Sequence, residues 1–176
     1  GGTPTALPAE DIDAILCKLE QLFDKEHALE FTVEAGRPDS ITEEKLKVLR
    51  DHGITRISIN PQTMNQKTLE LIGRRHSVEM VKERFIMARE LGFDNINMDL
   101  IMGLPEEDLD DVRYTLEEVR KLAPDSLTVH SLAIKRAARL HMFKEQYEGL
   151  KISNTPEMID LSAAWARAMG MEPYYL

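Results

Sequence analysis

The segment "FDNINMDLIMG", residues Phe93–Gly103, decides the fold because polar and apolar side chains alternate along it. The polar residues are Asn95, Asn97 and Asp99, and the apolar residues between them are Ile96, Met98 and Leu100. Since successive side chains of a β-strand point to opposite faces, this pattern predicts a strand with one polar face. A parallel strand covered by helices on both faces would instead be apolar throughout.

The same alternation recurs in three other segments. Their polar positions are Thr32 and Glu34, then Arg56, Ser58, Asn60 and Gln62, then Ser126, Thr128 and His130. We therefore expect a parallel sheet whose apolar face is covered by helices and whose polar face curls around a barrel lumen. The lumen could hold a polar ligand, or it could be a core of polar layers with satisfied hydrogen bonds.

Helical patterns separate these strands. The predicted helices are about Pro8–Asp24, Asp39–Gly53, Gln66–Ile72, Val78–Leu91, Leu109–Leu122 and Thr155–Met169. Apolar residues recur in them at helical spacing. Thr42 is the predicted cap of the second helix, and Ala137–Ser153 is the least regular part of the chain.

Strands and helices alternate throughout the chain. The predicted strands are Ala28–Ala35, Ile54–Asn60, Phe93–Gly103 and Asp125–Leu132, with one beginning at "EPYYL", Glu172–Leu176, and one expected before Gly1. This alternation favours parallel strands joined by right-handed helical crossovers. The predicted fold class is α/β: a partial TIM-like (β/α) barrel with outer helices, as a single domain over residues 1–176.

Composition excludes several kinds of protein. The 176 residues are 43% hydrophobic and 30% charged, as in an ordinary globular domain. The net charge of −9 argues against nucleic acid as a partner. No apolar stretch is long enough to span a membrane, so no membrane partner is expected. The single cysteine permits no internal disulfide and fits a reducing compartment such as the cytoplasm.

Candidate site residues cluster at the carboxyl ends of the predicted strands, where parallel α/β folds bind ligands. Glu34, Gln62 and Asp99 lie at or near such ends, and the glycine-rich loop Gly1–Thr5 precedes the first helix. A carboxylate there can accept hydrogen bonds from ribose hydroxyls or an ammonium group. Arg74 could bind a carboxylate through its forked guanidinium. These residues suggest a zwitterionic ligand that bears a ribose.

Each candidate also has a purely structural interpretation. Glu34 could be a surface or capping acid, Gln62 a turn side chain, and Asp99 the cap of the next helix. Arg74 could be solvated, and Gly1–Thr5 could be an ordinary strand-to-helix turn. The residues alone leave both interpretations open.

Three further residues suggest no site. His76 and His130 have no second ligand at metal spacing, so we interpret them as structural or hydrogen-bonding residues. Cys17 falls on the polar side of its helix, together with Asp13 and Glu20.

Five segments together carry a family resemblance. They are "GGTPT", "EFTVEAGRPDSI", "RISINPQTMNQKTLELIGRRHS", "NINMDLIMGLPEED" and "DSLTVHSLAIK". In this order they resemble the oxygen-independent coproporphyrinogen III oxidases, or coproporphyrinogen dehydrogenases, of the radical S-adenosylmethionine (SAM) superfamily. The resemblance extends from Gly1 to about Lys135 and more loosely to the end. It implies an open radical SAM barrel.

The resemblance also implies a set of SAM-binding positions. They are Gly1, Gly2 and Thr3 for the amino group, Glu34 as a strand-end carboxylate, Gln62, Arg74 and Asp99 around the cofactor, and Ala133 near adenine. The sequence departs from the family pattern in two places. Asn60-Pro61 replaces a Gly-apolar pair, and Gly36-Arg37-Pro38 is longer than the usual Asn-Pro.

The implied cofactors are SAM and a [4Fe–4S] cluster. The family's run of three cluster-binding cysteines is absent, so we expect these ligands upstream of Gly1, outside this domain fragment. The implied chemistry is reductive cleavage of SAM to a 5′-deoxyadenosyl radical and oxidative decarboxylation of porphyrinogen propionates to vinyl groups. A porphyrinogen substrate and an electron-donor protein are the implied partners. The alternatives are a related haem carrier and an unrelated phosphosugar-type barrel enzyme.

Overall fold

The computed structural model describes residues 2–25, 27–132, 151 and 154–174. Its strands are β1 (Thr32–Gly36), β2 (Arg56–Ile59), β3 (Ile96–Met102) and β4 (Ser126–Ser131). Its α-helices are α1 (Ala9–Leu22), α2 (Glu43–Asp51), α3 (Gln66–Leu71), α4 (Val78–Glu90), α5 (Leu109–Leu122) and α6 (Pro156–Ala168). All four internal strands and all six helices predicted from the sequence are therefore confirmed. Most are slightly shorter than their sequence patterns.

The strands form one parallel sheet in which each strand pairs with the next strand along the chain, in the order β1-β2-β3-β4. With right-handed crossovers, an order that advances strand by strand puts every connecting helix on the same face. A doubly wound sheet reverses its order and is covered on both faces. The sheet is thus part of a (β/α) barrel, as the sequence predicts.

One apolar cluster joins the helices to a single face of the sheet. Its members include Ile57, Ile59, Ile96, Met98 and Leu100 from the strands and Ile12, Leu46, Val81, Phe85 and Leu116 from the helices. The polar strand residues are absent from this cluster and bond to one another instead. The alternation in the sequence therefore separates a helix-covered face from a polar face.

Side-chain caps fix where several helices begin. Thr42 accepts a hydrogen bond from the Lys45 amide and caps α2, as predicted. Asp108 accepts from the first-turn amides of α5, and the Asp111 side chain accepts from the Asp108 amide, which completes a capping box. Because Asp108 caps α5, Asp99 is not needed for that role.

The chain differs from the sequence prediction near its end. The strand expected at Glu172–Leu176 is not formed in the described residues 172–174. The Tyr174 hydroxyl instead lies 3.2 Å from Glu30 Oε2, just before β1. Pro173 has no amide hydrogen for a strand ladder, which disfavours pairing here. Residues 175–176 and nearly all of Ala137–Ser153 lie outside the described residues. Among the described helices, none has the length and apolarity needed to cross a bilayer.

Candidate functional site

The polar face begins with Glu34 on β1 and Ser58 on β2. The Ser58 hydroxyl donates to Glu34 Oε2 at 2.6 Å. Ser58 is 1% exposed and lies opposite Asn97 of β3. Glu34 is exposed, so its carboxylate remains accessible while Ser58 fixes one of its oxygens.

Asn97 connects β3 to β4 across the same face. Its amide nitrogen donates to Asp99 Oδ1 at 2.7 Å. Its carbonyl oxygen accepts from the Ser126 hydroxyl at 3.0 Å and from the Thr128 hydroxyl at 3.2 Å. Both ends of the Asn97 amide are therefore used, and the network orients the Asp99 carboxylate.

The carboxylates of Glu34 and Asp99 interact electrostatically across the polar face. Burial raises the pKa of the Asp99 carboxyl, and the negative charge of Glu34 raises it further. The hydrogen bond from Asn97 acts in the opposite direction. A carboxyl group whose ionisation is disfavoured by burial and by a nearby acid favours a ligand that brings positive charge or hydroxyl donors. His130 lies at the edge of this region, with Nε2 3.9 Å from Asp99 Oδ2.

Gln62 follows β2 in a left-handed backbone conformation with φ of 70°. Its amide donates to the Asp99 carbonyl at 3.0 Å, and its carbonyl accepts from the Ile101 amide at 2.9 Å. It thereby pairs with Leu100, one residue before the partner that the β2–β3 register predicts. The alternation of polar and apolar side chains, which assigned Gln62 to the polar face, is therefore interrupted before Gln62. The backbone of Gln62 nevertheless lies directly beside Asp99.

A buried polar cluster supports the turn after Gln62. Glu107 is 2% exposed and accepts from Thr63 Oγ1 at 2.6 Å and from Asn65 Nδ2 at 3.2 Å. Burial raises the pKa of Glu107, whereas the hydrogen bond from Thr63 lowers it. The sequence did not predict this cluster, because Thr, Asn and Glu in a turn are usually solvent-exposed.

The glycine-rich loop is attached to the carboxyl end of β1. Thr5 Oγ1 donates to the Ala35 carbonyl at 2.5 Å. Lys45 Nζ, from α2, donates to the Thr5 carbonyl at 2.6 Å. The loop therefore lies at a strand end, where ligands of parallel α/β folds bind.

The same loop approaches Gly36 closely. Gly36 has φ of 65°, and a Cβ atom there would lie 3.2 Å from Thr3 Cγ2. Gly2 is exposed. Gly1 and Ala133, both predicted cofactor contacts, lie outside the described residues.

Arg74 lies in the connection between α3 and α4 and is partly buried. Burial and the positive charge of Arg37 lower the pKa of Arg74. Its neighbour His76 is 2% exposed, with Nε2 3.2 Å from the Pro61 carbonyl, so the connection reaches the carboxyl end of β2. Within the described part of the chain, the Arg74 side chain forms no hydrogen bond, which leaves it available to an anionic group.

Four members of the polar network were not among the predicted site residues. They are Ser58, Asn97, Ser126 and Thr128. The alternation in the sequence identified all four as polar-face residues, but their short neutral side chains gave no chemical signal. The structure shows that they position Glu34 and Asp99.

Comparison with known proteins identifies the family. A sequence profile described as the radical SAM superfamily matches residues 1–119. The chain belongs to the radical SAM superfamily. The parallel sheet with one polar face agrees with this assignment.

Two relatives from Bacillus subtilis match nearly the whole chain. The chain is 46% identical over 177 residues to the oxygen-independent coproporphyrinogen-III oxidase-like protein HemZ, covering 100% of this chain and 35% of HemZ. It is 32% identical over 184 residues to the heme chaperone HemW, covering 99% of this chain and 46% of HemW. The chain thus spans less than half the length of either relative.

Solved structures agree with this assignment. The coproporphyrinogen III oxidase HemN from Escherichia coli matches with a TM-score of 0.81 and 28% identity, over 98% of this chain and 40% of that chain. Elp3 from the archaeon Methanocaldococcus infernus matches with a TM-score of 0.76 and 18% identity, over 98% of this chain and 44% of that chain. The second match reflects the shared fold alone. The predicted resemblance to coproporphyrinogen oxidases is therefore confirmed.

Proposed function

We propose that residues 1–176 form the SAM-binding part of one radical SAM barrel, in an oxidoreductase of the coproporphyrinogen III dehydrogenase type. The observation that carries this proposal is the acidic pair Glu34 and Asp99 on the polar face of the sheet. The 46% identity to HemZ supports the same assignment. The proposed reaction is oxidative decarboxylation of porphyrinogen propionates in the cytoplasm, with electrons from a donor protein.

The chemistry of the polar residues fits SAM. Glu34 and Asp99 are suited to its amino group and its ribose hydroxyls, because carboxylates accept charge-assisted hydrogen bonds. Arg74 is suited to its carboxylate, because its guanidinium is unused by the described residues. The backbones of Gly1, Gly2, Thr3 and Ala133 and the side chain of Gln62 complete the proposed contacts.

The iron–sulfur cluster does not fit on residues of this chain. Cluster binding requires several cysteine thiolates, and the sequence contains one cysteine, which is exposed on α1. We therefore propose that the cluster ligands come from outside residues 1–176. When bound, SAM and the cluster would supply the radical chemistry, while this chain would bind and orient SAM and exclude water.

A pair of matched substitutions tests the SAM assignment in the natural protein. Arg74→Ala and Asp99→Asn should each weaken SAM affinity and SAM cleavage about tenfold or more, since each removes a charged hydrogen-bonding partner. Arg75→Ala and Asp94→Asn are the controls, because both residues are exposed neighbours. Isothermal titration with SAM and quantification of 5′-deoxyadenosine provide the measurements. Unchanged affinity and cleavage in both site variants would refute the assignment.

A haem carrier is the second candidate function, and the 32% identity to HemW favours it. Two assays on the natural protein separate the candidates. An oxidoreductase should convert coproporphyrinogen III to a vinyl-bearing product under anaerobic conditions. A carrier should bind haem stoichiometrically and leave coproporphyrinogen III unchanged.

A further inference from the structure

A second group of chemically active side chains lies away from the polar face. The group joins α1 to the residue that ends α2 and consists of Asp13, Cys17 and His52. One potential ligand atom from each residue lies within 4.8 Å of the other two. Carboxylate, thiolate and imidazole are the three side-chain types that bind zinc in proteins.

The helical spacing of α1 brings these groups to one side. Asp13 and Cys17 are four residues apart and so project from the same face of the helix. Glu20, one turn further along, lies on this face as well. His52 is the C-cap residue of α2, so the ligand atoms come from two separate helices.

His52 is oriented in the way that a metal ligand requires. Its Nδ1 lies 2.9 Å from Glu20 Oε1, and its Nε2 lies 2.9 Å from Asp13 Oδ1. Metal-binding histidines commonly donate their second ring N–H to a carboxylate, which directs the other nitrogen at the metal. The 2.9 Å separation of Nε2 and Oδ1 is that of a hydrogen bond, so a metal ion bound to Nε2 would take the place of the proton between the two atoms.

Glu20 is itself held in place. Lys25 forms an ion pair with Glu20. The same lysine donates to the His52 carbonyl at 2.8 Å, so it ties Glu20 to the end of α2. The His52 side chain is 11% exposed, whereas Asp13 and Cys17 remain open to solvent. A metal ion can therefore reach the group from outside.

We propose that Asp13, Cys17 and His52 bind one Zn²⁺ ion, with Glu20 as the carboxylate that orients His52. Zinc bonds of about 2.0–2.3 Å in tetrahedral geometry place neighbouring ligand atoms about 3.3–3.6 Å apart, within reach of small side-chain movements here. Thiolate and carboxylate together neutralise the charge of the ion. The fourth position faces solvent and would hold water.

The bound ion would fasten α1 to the end of α2. Both helices also contribute apolar residues, such as Ile12 and Leu49, to the main apolar cluster. Because the site exists in the folded chain alone, zinc should raise the melting temperature in a concentration-dependent way. This inference does not depend on the proposed SAM function.

The test uses Zn²⁺ and, as a spectroscopic probe, Co²⁺ added to the 176-residue protein. One Zn²⁺ should bind per chain and raise the melting temperature. Co²⁺ should give a sulfur-to-cobalt charge-transfer band and intense tetrahedral d–d bands. Cys17→Ser should abolish the charge-transfer band, and Glu20→Gln should weaken Zn²⁺ binding by about 10- to 100-fold.

Matched controls separate the site from general metal binding. Asp11→Asn lies on the exposed side of α1, and His27→Gln replaces another exposed histidine. Both variants should bind Zn²⁺ as the unmodified protein does. Melting curves without metal establish that Cys17→Ser and Glu20→Gln are folded. Absence of stoichiometric binding, or a cobalt spectrum that is unchanged in folded Cys17→Ser, would overturn the proposal.

Discussion

Gly36 illustrates how a single residue positions the proposed cofactor loop. Its left-handed backbone excludes most side chains, and its missing Cβ leaves room for Thr3. Gly36→Ala should destabilise the protein by more than the roughly 1–2 kcal/mol of a left-handed alanine, because the new methyl also displaces the loop. Urea denaturation measures the difference.

Gly73→Ala is the matched control for this change. Gly73 has a similar φ of 70°, and nothing lies within 4 Å of a Cβ atom added there. It should therefore report the backbone cost alone. In the double variant Thr3→Ser/Gly36→Ala the contacting methyl of Thr3 is gone, so the excess cost should largely disappear. Equal losses for Gly36→Ala and Gly73→Ala would contradict a contact between loop and strand.

Glu107 should make stability depend on pH. Its folded pKa is raised above the ordinary value of 4.5 by burial, so its protonated form favours the folded state. The associated stability is present in full below pH 4.5 and is lost as pH rises through the raised pKa. Glu107→Gln should remove this loss while it retains the oxygen that accepts from Thr63.

Urea denaturation at a series of pH values measures the effect. The stability advantage of Glu107→Gln over the unmodified protein should grow as pH rises. Glu117→Gln, on the exposed side of α5, serves as the control and should not change the pH profile. Superimposable profiles for Glu107→Gln and the unmodified protein would show that the buried carboxyl does not titrate in this way.

At the residue scale, sequence reasoning succeeded where side-chain direction follows from strand periodicity. Glu34 and Asp99 were predicted at strand ends and are electrostatically coupled. Gln62 could not be placed in this way, because the register shifts by one residue in the turn before it. The residue after Gln62 bonds to Glu107, which comes from a distant part of the chain.

The stability of helix α5 should depend on its N-cap residue more than the stability of α6 does. Asp108 caps α5 through its side chain, whereas Thr155 at the same position of α6 makes no capping hydrogen bond. Asp108→Ala should therefore cost about 1 kcal/mol of stability. Thr155→Ala should cost clearly less in the same denaturation assay. Comparable losses would mean that the capping box contributes little in solution.

At the element scale, the type of each α-helix and internal strand in the described residues followed from periodicity. The predicted bounds of α5, Leu109–Leu122, match the structure to the residue, and the structure adds Asp108 as its cap. The strand at Glu172–Leu176 was wrong over its described residues. An apolar ending and two tyrosines resemble a strand locally, but pairing requires a neighbouring edge that sequence periodicity does not reveal.

At the largest scale, the 176-residue chain by itself should not assemble an iron–sulfur cluster. Anaerobic reconstitution of the 176-residue chain with iron and sulfide should leave no bound inorganic sulfide, because one cysteine cannot replace three cluster ligands. Cys17→Ser is the control for iron bound singly at α1. Retention of stoichiometric sulfide would contradict the proposal that the cluster ligands come from outside residues 1–176.

At the scale of the whole molecule, the fold could be predicted because one polar face per strand is incompatible with helices on both sides. The position of the Arg74 side chain could not be predicted from the sequence, because the connection between two helices has no periodic pattern of side chains. The zinc-binding group also escaped prediction. His52 is far from Asp13 and Cys17 in sequence, and only the packing of α1 beside α2 brings them together.

The winding of the sheet has a consequence for how the chain folds during synthesis. Paired residues such as Thr32 and Arg56, or Asn97 and Ser126, are separated by one connecting α-helix, and β2 and β3 are separated by α3 and α4. When each strand leaves the ribosome, the preceding strand with which it pairs has therefore already been synthesised. Nascent chains of increasing length should gain protease resistance in steps, one βα unit at a time.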